Sequence, residues 1–315
     1  MEEISKKLFD RLKEACKSCK LDSLSLSGGL DSTILAYFLE ERKPQSISII
    51  AKDFEANDLT YCQLVAKEFN LPLNLMKVDT NEILEAVKNT ISILKNFNDI
   101  EIRNNLVMYL VIKWVKDQGL RGIITGDGAD ELFAGYSFLL KKSEEELDRE
   151  IQRITSIMHF PTRKIGKALG VEVESPYLNQ PVIEFAKTIP VNLKVKIEKN
   201  KKYGKWILRK TFEKKIPPQI VWRDKSPMQD GAGTSGLTNL FDSMVGNDDF
   251  FEKKKEIEQR DGITIRTKES MHYFEIFKNL HGLPRASEDL SKSCPYCHAF
   301  TDYSKFCRMC GAFPI

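Results

Sequence analysis

The short apolar stretch Ser23-Leu24-Ser25-Leu26 breaks into Ser27-Gly28-Gly29 and reopens as a helical stretch from Thr33 to Glu41. A strand that turns through two glycines into a helix aims several backbone N–H groups at one point. Those groups sit at the positive end of the helix dipole and form an anion cradle. Asp31, inside the turn, would repel a bare phosphate and therefore implies a cation, most simply Mg²⁺ carried in with ATP. Ser27, Gly28, Gly29, Asp31 and Ser32 form the cradle, and Ser25 lies just before it. The competing reading is a corner that needs glycine only for positive φ.

Strand and helix signals alternate around this turn. The β-rich run Ser46 to Ile50 precedes a helical stretch from Asp58 to Phe69. The apolar segment Leu73 to Val78 precedes a long helical region from Asn81 to Gln118, and Arg121 to Thr125 is a short buried-strand candidate. This alternation predicts an α/β fold with a doubly wound parallel sheet, whose ligands sit beyond the C-terminal strand ends. From about Leu139 to Leu290 the pattern is mostly helical. The Gly-rich stretch Asp230 to Gly236 reads as either an active-site loop or a passive surface loop.

The second of those strand ends carries Gly126-Asp127-Gly128-Ala129-Asp130-Glu131-Leu132-Phe133-Ala134-Gly135-Tyr136. Acids flanked by glycines on a strand-to-helix turn make another corner facing metal and phosphate. SGGLDS followed by GDGADELFAGY resembles the synthetase domain of asparagine synthetase and its relative β-lactam synthetase, which are N-type ATP pyrophosphatases. Later blocks extend the likeness: Gly170-Val171-Glu172 with Ser175-Pro176-Tyr177-Leu178, Lys205 to Arg209, Trp222 to Lys225, and Lys268-Glu269 with Phe274 to Phe277.

The resemblance implies an adenine nucleotide alpha hydrolase-like fold. It also implies an ATP-dependent ligase that adenylates a carboxylate, releases pyrophosphate, and passes the acyl group to ammonia or an amine. Ser27, Gly28, Gly29 and Ser32 would hold the departing phosphates, beside Ser25, Gly126 and Asp127. Asp31 and Asp130 match the Mg²⁺ ligands, and Lys225 matches the catalytic lysine. Lys205 is a second cation for the developing charge, and Glu172 matches the glutamate of proton transfer.

Departures bear on the substrate. Position 2 is Glu2 rather than the nucleophilic cysteine of a glutaminase, so nitrogen is expected from free ammonia, a separate subunit or an amine on the substrate. Glu174 stands where the family has arginine, Asn179 where it has aspartate, and Lys95 where it has glutamate. Charges reversed around a carboxylate pocket point away from free aspartate, unless they compensate one another.

Four of the seven cysteines fall at the end as Cys294-Pro295-Tyr296-Cys297 and Cys307-Arg308-Met309-Cys310. Paired CxxC units in a chain read as cytoplasmic suit one tetrahedral Zn²⁺ better than disulfides. The organisation expected is an N-terminal helix at 1–20, a synthetase-like domain at 21–285 and a zinc ribbon at 286–315. Tyr296, Phe300, Tyr303 and Phe306 are either a small core or a stacking surface for bases. Cys16 and Cys19 have no matching second pair and read as incidental thiols.

No apolar run approaches the ~20 residues of a membrane span, so no membrane partner is expected. A net charge of +3 does not by itself demand nucleic acid, yet Lys194 to Lys215 is strongly basic. Two acceptors therefore remain: a small-molecule acid such as aspartate, or a carboxylate carried on a tRNA nucleoside and gripped by the basic run and the ribbon.

Overall fold

The structure is a computed structural model that describes residues 1–53, 58–224, 228–301 and 305–315, with only the backbone of Met228 and Gln229. Contacts divide the chain into two compact units. The first comprises Met1–Ile50, Asn57–Met76 and Val111–Pro227, and the second Ala51–Ala56, Lys77–Leu110 and Met228–Ile315.

Five strands form a sheet: β1 (Ser23–Ser25), β2 (Gln45–Ala51), β3 (Leu73–Val78), β4 (Gly122–Ile124) and β5 (Glu172–Glu174). Their order is β3-β2-β1-β4-β5, with parallel pairs β1–β2, β1–β4 and β4–β5. Ser46 N–H donates to Pro72 and Lys52 N–H to Val78, which extends the parallel register to β3. The order runs outward one way from β1 to β3 and the other way from β4 to β5. With right-handed crossovers this places helices on both faces, the doubly wound arrangement expected. It also puts a topological switch point between β1 and β4, where both glycine corners leave the sheet.

Packing explains the first unit. Helix α1 (Glu2–Ser18) buries Leu8, Leu12 and Ala15, spaced for one face, and Cys16 beside them. Helix α2 (Leu30–Leu39) is apolar around most of its girth and buries Ile34, Leu35 and Ala36. Both join one core with Leu24, Leu26, Ile124, Phe133 and Tyr177. Burial holds the Cys16 thiol well above its ordinary range, and burial with the nearby Glu174 carboxylate pushes Cys19 up to about 12. Neither is a poised thiolate, in keeping with incidental thiols.

Three sequence expectations change. The helical region from Asn81 to Gln118 is two helices, α4 (Thr80–Leu94) and α5 (Asp99–Asp117), after α3 (Leu59–Glu68). The break falls at Lys95, which takes a left-handed φ of 58°, and is held open where Phe97 N–H donates to Met309. The region after Leu139 holds β5 and an antiparallel hairpin, β6 (Lys196–Glu198) with β7 (Lys201–Tyr203). The Gly-rich stretch is neither kind of loop. It is a turn between helices Met228–Ala232 and Gly236–Met244, with Thr234 fully buried and its hydroxyl donating to Arg103 O.

In the second unit, helix Lys268–His281 packs on α4 and on Gly236–Met244. Among the described residues no helix is long and apolar enough to cross a membrane.

Candidate functional site

The first corner is rigid because glycine is required there. Gly28 has φ 69°, and a Cβ on it would lie 2.5 Å from Cys62 N and from Tyr61 C. Gly29 precedes α2, whose first turn carries Asp31 and Ser32. The Ser32 and Thr33 hydroxyls donate to Gly29 O at 3.2 and 2.7 Å. Ser27 Oγ accepts from Gly29 N–H at 3.3 Å and lies 3.2 Å from Ser32 Oγ. Ser25 closes β1 below them.

The second corner runs through Gly126 and Gly128 (φ 97°) into α6 (Ala129–Phe133). A Cβ on Gly126 would stand 3.3 Å from Asp31 Cβ, so the two corners touch. Asp31 and Asp130 meet on the same cation. Lys205 Nζ is 2.5 Å from Asp31 Oδ2 and 2.7 Å from Asp130 Oδ1. Lys205 follows β7, takes a left-handed φ of 53°, and its N–H is tied to Phe133 O at 3.0 Å. Burial opposes its charge, but the carboxylates of Asp130 and Asp31 outweigh that and hold its pKa above the ordinary lysine value.

The residues that brace this cluster lie inside the sequence motifs, but no local pattern gave them a role. Tyr177, fully buried, donates its hydroxyl to Asp31 O at 3.1 Å. Gly135 leaves no room for a side chain: a Cβ there would lie 1.7 Å from Asp130 Oδ1 and 2.2 Å from Lys205 Cε. Gly135→Ala is therefore expected to force the pair apart, costing about 1–3 kcal/mol by overpacking. Thermal melts should show the loss. Arg223 pairs with Asp58 at 2.8 Å and lies 3.6 Å over the Tyr61 ring, the residue against which Gly28 packs. Its signal was its place beside Lys225 in the Trp222–Lys225 block. Lys225 itself lies outside the described residues.

Other expected site residues are engaged outside the Asp31–Lys205–Asp130 cluster. Asp127 belongs to the second corner, but its carboxylate accepts from Thr125 Oγ1 at 3.0 Å. Burial raises its pKa, against hydrogen bonds from Thr125 and Thr162. It therefore anchors the corner. Glu172 does not join the cluster. It pairs with Gly122, the first residue of β4, at the far end of the sheet, and both its oxygens accept from Arg121 at 2.9 and 3.0 Å. Glu174 is not turned toward the corners either. Its carboxylate accepts from Lys20 and Leu21 N–H at 2.9 and 3.3 Å, fixing the approach to β1. Its departure from the family arginine is thus taken up by a structural contact.

Lys194 to Lys215 is not one solvated face, since Lys194, Lys205 and Arg209 are buried. Burial brings Lys194 down to about 8. Arg209 donates to the carbonyls of Gly204, Val221 and Arg223, which staples helix Trp206–Phe212 to its surroundings.

In the second unit, the sulfurs of Cys294, Cys297, Cys307 and Cys310 all lie within 4.8 Å of one another. Cys294 to Cys310 is 3.7 Å and Cys297 to Cys307 is 3.6 Å. Four thiolates 2.3 Å from a tetrahedral zinc stand about 3.8 Å apart, so the buried set fits that ion. His298 Nε2 is instead 2.9 Å from Gly262 O. Phe300 is 59% exposed, whereas Tyr296 and Phe306 are half-buried; Tyr303 lies outside the described residues.

The two acid-bearing glycine corners thus lie at the switch point of a doubly wound parallel sheet, the place where ligands of such α/β folds sit. The asparagine synthase profile matches residues 22–160 and 140–250, and the chain belongs to that ATP-using ligase family. Among relatives, asparagine synthetase B [glutamine-hydrolyzing] of Escherichia coli is 28% identical over 308 residues, covering 91% of this chain and 55% of its own. A probable asparagine synthetase [glutamine-hydrolyzing] of Dictyostelium discoideum is 27% identical, covering 89% and 55%. The chain thus spans about half the length of the curated relatives it matches. Among solved structures, NMN synthetase from Francisella tularensis matches 91% of this chain and 98% of its own at 13% identity, with a TM-score of 0.40.

Proposed function

We propose that this protein is an AMP-forming amide ligase. The observation that carries the reading is the meeting of Asp31 and Asp130 at the switch point, beside a glycine cradle. An oxygen of the acceptor carboxylate attacks the α-phosphorus of ATP, the α–β bridge breaks, and pyrophosphate leaves with the bonding electrons. Ammonia or an amine then attacks the acyl carbon, AMP departs, and the nitrogen gives up a proton.

Ser27, Gly28, Gly29 and Ser32 hold the β- and γ-phosphates, because their N–H and hydroxyl groups converge at the start of α2. Asp31 and Asp130 are hard oxygen donors suited to Mg²⁺. Asp31 Oδ1 is buried without a hydrogen-bond partner among the described residues, as an intended ligand atom would be. Bound there, Mg²⁺ would neutralise phosphate charge and orient the leaving pyrophosphate. Lys205 and Lys225 supply cations for the charge that develops on the phosphates. Glu172 is given no step, because Arg121 takes up its carboxylate at the other end of the sheet. Cys294, Cys297, Cys307 and Cys310 hold a structural Zn²⁺. The test is pyrophosphate exchange into ATP over a panel of carboxylates. Exchange with none of them, small or tRNA-borne, would sink the reading.

A carboxylate on a tRNA nucleoside is the second acceptor class, favoured by the β6–β7 hairpin. Lys196, Lys199, Lys201 and Lys202 on it are all exposed, spread over both of its faces, and β7 leads through Gly204 directly into Lys205. Reversing Lys199 and Lys202 to glutamate should weaken tRNA binding and flatten its salt dependence by roughly one unit of slope per lost phosphate contact. Unchanged tRNA binding, or exchange driven by free aspartate alone, would favour the small-molecule acceptor.

A further inference from the structure

Lys205 does more at this site than supply one charge among several. Its ammonium lies between Asp31 Oδ2 and Asp130 Oδ1, at 2.5 and 2.7 Å, the point on which two carboxylate ligands of one ion would converge. It cannot drift away easily. The side chain is 6% exposed, its backbone is tied to Phe133 O, and Gly135 closes over it. Arg209 is no substitute, since its guanidinium is turned onto backbone carbonyls.

We propose that Lys205 is the resident counter-ion of the metal site and makes the site selective for a metal–nucleotide complex over a free divalent cation. The inference rests on reading Asp31 and Asp130 as metal ligands. Two carboxylates facing one ammonium present a single net negative charge, too little to strip water from a free divalent ion. Affinity for such ions rises with the number of uncompensated ligand charges. A polyphosphate changes this balance. Its oxygens arrive at the cradle around Gly28 and Gly29, offer the ammonium a new partner, and release Asp31 and Asp130 to the metal. The orphaned Asp31 Oδ1 provides the remaining ligand atom. Metal and nucleotide therefore bind together, each strengthening the other by the same factor.

The test is Mn²⁺ binding to the zinc-loaded protein, read by the loss of the free-ion electron paramagnetic resonance signal. Wild type should bind Mn²⁺ about tenfold or more tightly with α,β-methylene-ATP than without it. Lys205→Met should bind Mn²⁺ without nucleotide, at least about tenfold tighter than wild type. Adding Asp31→Asn to that variant should remove the gain. If wild type takes up Mn²⁺ equally well with and without the analogue, the selectivity is absent and the inference fails. That measurement needs no variant and stands if Lys205→Met does not fold. If folded Lys205→Met gains affinity that Asp31→Asn leaves untouched, Asp31 is not a ligand, and it is the ligand reading that fails.

Discussion

Asp31→Asn is expected to lower carboxylate-dependent conversion of ATP to AMP and pyrophosphate by about 10³-fold, the effect of losing several kcal/mol of metal-borne charge stabilisation. The substitution keeps the shape of the side chain and removes its charge. Lys205 then faces Asp130 alone, so part of the effect is structural. Breaking a buried ion pair costs about 3–5 kcal/mol when the remaining charge finds no partner. Here Asp130 remains, 2.7 Å from the ammonium, so the loss of stability should fall well below that range. Thermal melting and turnover therefore separate the two contributions. A variant that melts near wild type yet no longer turns over places Asp31 in the chemistry. One that retains turnover within about tenfold would show that the phosphates are neutralised elsewhere. Ser27→Ala is the matched control. It removes one neutral hydroxyl from the same cradle and should cost much less, because hydrogen bonds between neutral groups are individually modest.

The parts of this site that could be read from the sequence are those set by local rules. Gly28 and Gly128 have left-handed φ, and a strand that must turn sharply into a helix announces such positions. Strand segments bounded by turn residues gave β2 and β3 nearly to the residue, and the alternation gave the parallel sheet. What was not legible depends on contacts far apart in the chain. Asp31 and Lys205 are 174 positions apart, and no local pattern says that their charges touch. Glu174 illustrates the opposite error. It stands where an aligned arginine would face substrate, yet its oxygens are taken by Lys20 and Leu21 N–H. Glu172 is occupied in the same way by Arg121. The break at Lys95 within a helical periodicity was also invisible, because Phe97 N–H has its partner in the cysteine-rich tail, at Met309.

That tail contact sets the second large effect. With the proposed zinc on the four thiolates, chelation, or replacing Cys307 by serine, is expected to release one zinc per chain and lower the melting temperature by about 10 °C or more. The reason lies in where the second knuckle is seated. Met309 O accepts from Phe97 N–H at 2.9 Å, and Cys310 O from Arg266 Nη2 at 2.8 Å. Gly311, at φ 75°, comes so close that a Cβ would lie 2.7 Å from Asn98 Oδ1 and 3.0 Å from Asp99 Oδ1. Asn98 immediately precedes α5 and Asp99 begins it, and one turn later the helix carries Arg103. There Arg103 meets Glu269 at 3.4 Å, with Thr238 and Tyr273 hydroxyls donating to the same carboxylate at 2.9 and 2.8 Å. Four thiolates are a segment's main source of order when it is too short for a core of its own, so losing the metal should free the knuckle and then the start of α5. Amide hydrogen exchange would follow this path, rising first at Arg308 to Gly311 and next at Asn98 to Arg103, while β1 and β4 stay protected. If zinc leaves and neither the melt nor the exchange at α5 moves, the knuckle is not what holds that helix in place.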